Sequence, residues 1–226
     1  AAMMTTQSTF TTQPCSRLSW CSRSLLGLLL GVSLQLPLLG DDWPQWRGPD
    51  RNGISKETGW LAQWPEAGPQ RLWTAKVGVG YSSYSVSQGR LYTMGNNKVV
   101  DSMGKTNDTD SVYCLDAESG KLIWEHKYPC NAKDPNGYHG TRMTPTVDSG
   151  RVYTVSREGH LFCLDAQTGK VVWSKDFQKD YGSKRPQWGF AGSPLIEKDW
   201  MLVEVGARGA SVVAFNKATG KEVWKN

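Results

Sequence analysis

The sequence is poor in the residues that most often announce chemistry. Only 5 cysteines and 3 histidines occur in 226 residues, and no CxxC, CxxCH or Cys-Cys pair is present. Zinc knuckles and covalently attached haem are thereby removed from consideration. No HExxH, GxSxG or P-loop appears. Helical periodicity is missing after residue 41, which argues against bundles and coiled coils. Long apolar runs are missing too. The 17 uncharged residues from Ser24 to Gly40 fall short of the ~20 that a spanning helix needs. The net charge of +5 is small. Setting aside Arg17 and Arg23 leaves 24 cations against 21 anions, or +3. So slight an excess, spread along the chain, predicts no nucleic-acid partner.

What is present begins with a leader. Residues 1–40 hold no acid, and Arg17 and Arg23 precede the apolar stretch Leu25–Leu39, which ends at Asp41 and Asp42. A basic flank, a short apolar region and then small and polar residues form a secretory signal pattern. A cleaved signal is preferred over a retained anchor or a buried helix. The expected compartment is the periplasm or the exterior, with membrane contact only through the leader. Residues 41–73 then read as a lead-in segment. Beyond the leader, Cys114, Cys130 and Cys163 remain. Cys114 and Cys163, at equivalent repeat positions, are expected to be small core residues.

Tryptophan is abundant, with 11 copies, and its spacing organises the rest. SVYCLDAESGKLIWEH (111–126), HLFCLDAQTGKVVWSK (160–175) and SVVAFNKATGKEVWKN (211–226) align without gaps. Trp73, Trp124, Trp173 and Trp224 follow one another at 51, 49 and 51 residues. A period near 50 signals a propeller, a solenoid or an array. Each unit reads as four short strands; in the second they fall near Arg142–Val147, Arg151–Ser156, Gly159–Asp165 and Lys170–Lys175. Alternation in Arg151–Ser156 is that of a half-buried strand. The expectation is an all-β fold, a β-propeller of four-stranded antiparallel blades at about 74–128, 129–177 and 178–226. A further strand is expected at Leu72–Val77. Each recurrent indole would wedge neighbouring blades together.

The motif LDAxTGKxxW, unbroken at Leu164–Trp173 and varied at Leu115–Trp124, resembles the tryptophan-docking repeat of the pyrroloquinoline-quinone (PQQ)-like propeller family. The third copy departs by placing Asn216 where the others have Asp. DWPQWRGPDRNGIS (42–55) and WPEAGPQRLW (64–73) look like the leading segments of secreted bacterial members. The resemblance covers residues 42–226. It implies seven or eight blades where three are found, so the ring is expected to be incomplete and the chain to be a C-terminal truncation. It also leaves two activities open, because the family includes quinoprotein dehydrogenases and non-catalytic scaffolds.

Function is sought on the longer loops of one face, Lys76–Ser83, Gly95–Asp110, Pro129–Thr141 and Phe177–Gly192. A ligand at the axis would meet Tyr81, His139, Arg142, Arg185, Trp188 and Phe190. Tyr81, His139, Arg142 and Trp188 are the candidate cofactor-binding residues. Each has a plainer reading as turn, solvated or loop-packing residue. No catalytic residue or metal ligand is assigned. Asp101–Asp110 is oxygen-rich but lacks EF-hand spacing, and reads as a solvated excursion. The resemblance implies, for an enzyme, PQQ with calcium. For a scaffold the expected partner is a protein or glycan on the loop face. The scaffold is the preferred reading, and a PQQ-dependent dehydrogenase oxidising alcohols or sugars is the alternative. The leader predicts that exported protein begins near Asp41. N-terminal sequencing of secreted material checks this, and an intact leader would show an anchor instead.

Overall fold

The computed structural model describes residues 40–100, 103, 106–131 and 137–226. The signal reading of residues 1–40 therefore lies outside the described residues, apart from Gly40. Three four-stranded antiparallel sheets make up the fold. Blade 1 contains β1 (Ser85–Ser87), β2 (Arg90–Val100), β3 (Thr106–Asp116) and β4 (Leu122–Pro129). Blade 2 contains β5 (Thr146–Asp148), β6 (Arg151–Val155), β7 (His160–Asp165) and β8 (Val171–Asp176). Blade 3 contains β9 (Leu195–Glu197), β10 (Trp200–Ala207), β11 (Ala210–Asn216) and β12 (Glu222–Lys225). In each blade the strands pair in chain order. The all-β, three-blade, incomplete propeller is the architecture expected from the repeat. Among the described residues no helix is long and apolar enough to cross a membrane.

The blades are joined by a repeated joint. Trp124 Nε1 donates to the Ala166 carbonyl at 3.0 Å, and Trp173 Nε1 to the Lys217 carbonyl at 3.0 Å. The same two carbonyls accept from Tyr92 and Tyr153 hydroxyls at 3.3 and 3.2 Å. Each indole lies flat on the turn glycine of the next blade. A Cβ built on Gly169 would stand 2.6 Å from the Trp124 ring, and one on Gly220 would stand 2.6 Å from Trp173. Both glycines also sit at positive φ, 70° and 69°, where a side chain is strained. The turn itself is tied by its first polar residue. Asp165 Oδ1 accepts from the Thr168 N–H and hydroxyl at 3.0 and 2.9 Å. Asn216 Oδ1 accepts from Thr219 in the same way, at 3.0 and 3.0 Å. The turn needs one oxygen acceptor and no charge, so Asn216 is tolerated in the third copy.

Four local expectations are corrected. No strand forms at 72–77, because that stretch has no ladder partner among the described residues. Trp73 nevertheless docks as the others do, donating to the Ala117 carbonyl at 3.1 Å and covering Gly120. The strand expected from Arg142 shrinks to β5, because Pro145 supplies no N–H to the ladder. The Gly95–Asp110 loop is instead the far end of a long hairpin, paired from Gly95↔Ser111 to Val100↔Thr106. Finally, a short helix, α1 (Phe177–Tyr181), follows β8, capped by the Asp176 side chain and closed by Gly182 at φ 65°. Five residues are too few to show a helical period.

Cys114, Cys130 and Cys163 are free and buried. Burial pushes the Cys114 and Cys163 thiols up to about 11, so both remain protonated packing residues at neutral pH.

The joint generates a comparison. Trp173 is partly buried, and Trp173→Ala is expected to cost ~3 kcal/mol by urea denaturation, the lower end for aromatic truncations. Trp224 is 36% exposed and has no acceptor blade among the described residues, so Trp224→Ala should cost well under half as much in this chain. Equal losses would contradict docking as the source of stability.

Candidate functional site

The inner strands β1, β5 and β9 define the axial side of the blades, and the loops entering them carry most of the candidate residues. Glycine sets these loops. Tyr81 N–H donates to the Thr141 carbonyl at 2.7 Å, and a Cβ on Gly80 would stand 2.3 Å from the Thr141 hydroxyl. Gly140, at φ 92°, packs equally closely on the Val79 carbonyl. The loops entering blades 1 and 2 are thus locked together, backbone against backbone.

On this platform Arg142 and Tyr81 meet, with the guanidinium carbon 5.7 Å from the ring centroid, a cation–π distance. Arg142 Nη2 donates to the Tyr138 carbonyl at 2.6 Å. The Tyr138 ring stands 5.9 Å from Tyr81 and 5.9 Å from Trp188. Three rings and one guanidinium from the loops of three successive blades therefore form one cluster. It is open to solvent: Tyr81, Tyr138 and Trp188 are 58%, 49% and 46% exposed. His139 follows Tyr138 in the same turn, with its N–H on the Gly137 carbonyl at 3.1 Å.

Two of the residues expected at the axis lie elsewhere. Phe190 is buried, edge-on to Phe177 at 5.2 Å, with its N–H on the Arg157 carbonyl. Arg185 pairs with Glu158 at 3.3 Å. Tyr138, which links Tyr81 to Trp188, was not among the sequence candidates. A usable signal exists in hindsight: Gly80-Tyr81, Gly137-Tyr138 and Trp188-Gly189 place an aromatic beside a glycine in each entering loop.

A second feature is an open cleft of about 1020 Å³ between blades 1 and 2, flanked by Asp108, Asn131, Glu158, His160 and Asp176. Beneath it Asp110 is 1% exposed. Its carboxyl accepts from Asn96 Nδ2 at 2.7 Å and from the Tyr128 hydroxyl at 3.5 Å. Burial raises its pKa from the ordinary 3.8, opposed by those hydrogen bonds. Burial likewise pushes the Tyr128 hydroxyl and the Cys130 thiol well up, so neither is a nucleophile at neutral pH. Asp110 belongs to β3, so the solvated excursion expected at 101–110 is wrong for residues 106–110: this segment is a strand ending in a buried carboxyl.

The quinone and calcium that the resemblance implies can be tested against these side chains. The cluster offers flat rings and a guanidinium, which suit a planar anion. Among the described residues no group of three or more His, Cys, Asp or Glu side chains could hold a metal ion. Among the described residues the donor set does not fit the divalent ion.

Comparison with known proteins adds the following. Residues 108–226 match the profile of the family described as outer membrane protein assembly factor BamB. No curated protein matches the chain. Among solved structures, quinohemoprotein alcohol dehydrogenase ADHIIG from Pseudomonas putida HK5 is similar at 25% identity and a TM-score of 0.46, over 66% of this chain and 21% of that one. Quinohemoprotein alcohol dehydrogenase from Comamonas testosteroni gives 21% identity and a TM-score of 0.47, over 66% and 21%. BamB from Moraxella catarrhalis gives 18% and 0.39, over 66% and 46%. The chain thus spans less than half the length of each of these structures.

The raised Asp110 carboxyl has a pH consequence. The folded state holds this proton to higher pH than the unfolded state does. Its contribution is therefore complete below about pH 4, the ordinary Asp range, and is lost as pH rises through the raised value. Asp110→Asn should flatten that loss, seen as unfolding free energies that fall less between pH 4 and pH 7 than in the parent. An unchanged slope would show that Asp110 does not titrate abnormally.

Proposed function

Since this chain belongs to the PQQ-like propeller family described as outer membrane protein assembly factor BamB, we propose that it is a binding or assembly scaffold whose loop face grips a segment of a protein partner. The observation that carries the proposal is the cluster of exposed Tyr81, Tyr138 and Trp188 with the partly buried Arg142. Tyr, Trp and Arg are the residues that dominate binding energy at protein interfaces. Rings and guanidinium are already positioned by mutual contacts and by the interlocked glycine loops, so little ordering remains to oppose association. Its compartment in this reading is the periplasm or the exterior, following the export leader read in residues 1–40.

The same cluster gives one foothold to a second reading, a PQQ-dependent dehydrogenase of alcohols or sugars. Aromatic faces and a guanidinium suit a flat, carboxylate-bearing quinone. The metal would need donors other than those described.

Selection of displayed peptides on the native chain separates the two. The scaffold predicts peptides whose affinity falls at least tenfold on Trp188→Ala or Tyr138→Ala, the ~1.4 kcal/mol or more expected of an interface anchor. The melting temperature should be little changed, because both side chains are about half exposed. Failure to select any cluster-dependent peptide would sink the scaffold reading. Saturable binding of PQQ with calcium, followed by dye reduction with alcohols, would establish the second reading instead.

A further inference from the structure

The segment DWPQWRGPDR is not used by either reading, yet one of its hydrogen bonds joins residues 145 apart in the chain. Asp42 caps the β1–β2 turn, its carboxylate accepting from the Ser87 hydroxyl at 2.7 Å and the Gln88 N–H at 2.9 Å. Trp43 exchanges two backbone hydrogen bonds with Val86 of β1, at 2.8 and 3.0 Å. The Pro44 carbonyl accepts from Val147 of β5 at 2.7 Å. Arg51 donates to the Ile196 carbonyl of β9 and pairs with Glu197 at 3.5 Å. One strap of about ten residues thus reaches the innermost strand of all three blades. Its contacts fall on the β1–β2 turn and on the middle residue of each inner strand, Val86, Val147 and Ile196.

Between strap and blade 3 is a cavity of about 170 Å³, where Trp46, Arg47 and Arg51 face Ser193 and Leu195. Gln45 and Pro194 complete its lining, which includes two arginines and no acidic residue. Arg47 donates to the Asn52 carbonyl at 3.3 Å, and among the described residues no acidic side chain pairs with it. Two acids lie close in the strap or its contacts: Asp50, paired with Lys56 at 2.6 Å, and Glu197, which pairs with Arg51 at 3.5 Å and is about half exposed. Both arginines sit at positive φ, 64° and 57°, a strained conformation for residues with side chains that persists only where the surroundings impose it. The imposed turn is packed by the Trp43 ring against Gly48, where a Cβ would stand 2.7 Å away. This turn places Arg47 and Arg51 together on the lining of one small cavity.

We propose that this strap builds a subsite for an oxyanion, a carboxylate or phosphate group presented at the axis by a small ligand or a partner's side chain. Guanidinium groups match the oxygen geometry of such groups bidentately. The volume corresponds to about five or six waters at ~30 Å³ each, the size of the charged end of a ligand. The subsite is independent of the cluster formed by Tyr81, Tyr138 and Trp188.

Calorimetric titration of the full chain at constant ionic strength, with inorganic phosphate in one arm and benzoate in the other, tests it. Saturable binding of either anion is expected, weakened at least tenfold by Arg47→Gln. The Arg47 hydrogen bond, to Asn52, lies within the N-terminal segment and not on a blade, so the anion-free melting temperature should change little. Trp188→Ala, in the cluster on the loop face, should leave anion binding intact. Binding in the phosphate arm alone identifies phosphate as the group, and in the benzoate arm alone a carboxylate. No saturable binding in either arm, or equal binding by Arg47→Gln, would overturn the subsite.

Discussion

A single hydrogen bond, from an indole N–H to a carbonyl in the next blade, sets the geometry of this molecule. A four-stranded blade cannot cover both of its own faces, so it must be packed by its neighbours. The indole fills the wedge-shaped gap, and its N–H fixes the angle at which the gap is filled. The glycine beneath it is required twice, once because the turn needs positive φ and once because the ring occupies the place of a Cβ. The Asp or Asn that ties the same turn keeps that carbonyl pointed at the incoming ring. Motif, turn and blade spacing are therefore one constraint read at three scales.

This is why the architecture was legible in the sequence. The indole, the turn glycine and the Asp or Asn of the joint recur at a fixed interval, and a period of about 50 residues leaves few folds open. The tyrosine hydroxyls that share the accepting carbonyl were missed. They sit in Arg-Leu-Tyr-Thr and Arg-Val-Tyr-Thr, which read as ordinary alternating strands, and the third blade has Trp200-Met201-Leu202 in their place. The long hairpin of blade 1 was missed for a different reason. Asn, Asp, Gly and Thr dominate residues 101–110, and their turn chemistry outweighs the strand signal until cross-strand pairing is known.

The site was only partly legible. Tyr81, Arg142 and Trp188 were singled out from loop position, and the structure brings them into one cluster. Tyr138, which joins them, looked like part of a Gly-Tyr-His-Gly turn, because adjacency in the chain hides adjacency across blades. Phe190 was placed at the axis on the same loop logic and is instead a core residue. Only Gly189 separates it from Trp188, yet its side chain turns inward to meet Phe177. Such a reversal depends on the α1 turn, which five residues of sequence do not announce.

The strap places an unusual demand on the order in which the chain is made. Arg51 and its acceptor at Ile196 are 145 residues apart. The strap leaves the ribosome first, and its last docking point arrives roughly 7–30 s later at ordinary synthesis rates of about 5–20 residues per second. Blades 1 and 2 can pair locally during that interval, while the strap has nothing to close upon in blade 3. Seating the strap is thus a late, high-contact-order event. A nascent chain halted before residue 196 would hold adjacent blades without the clasp that spans them.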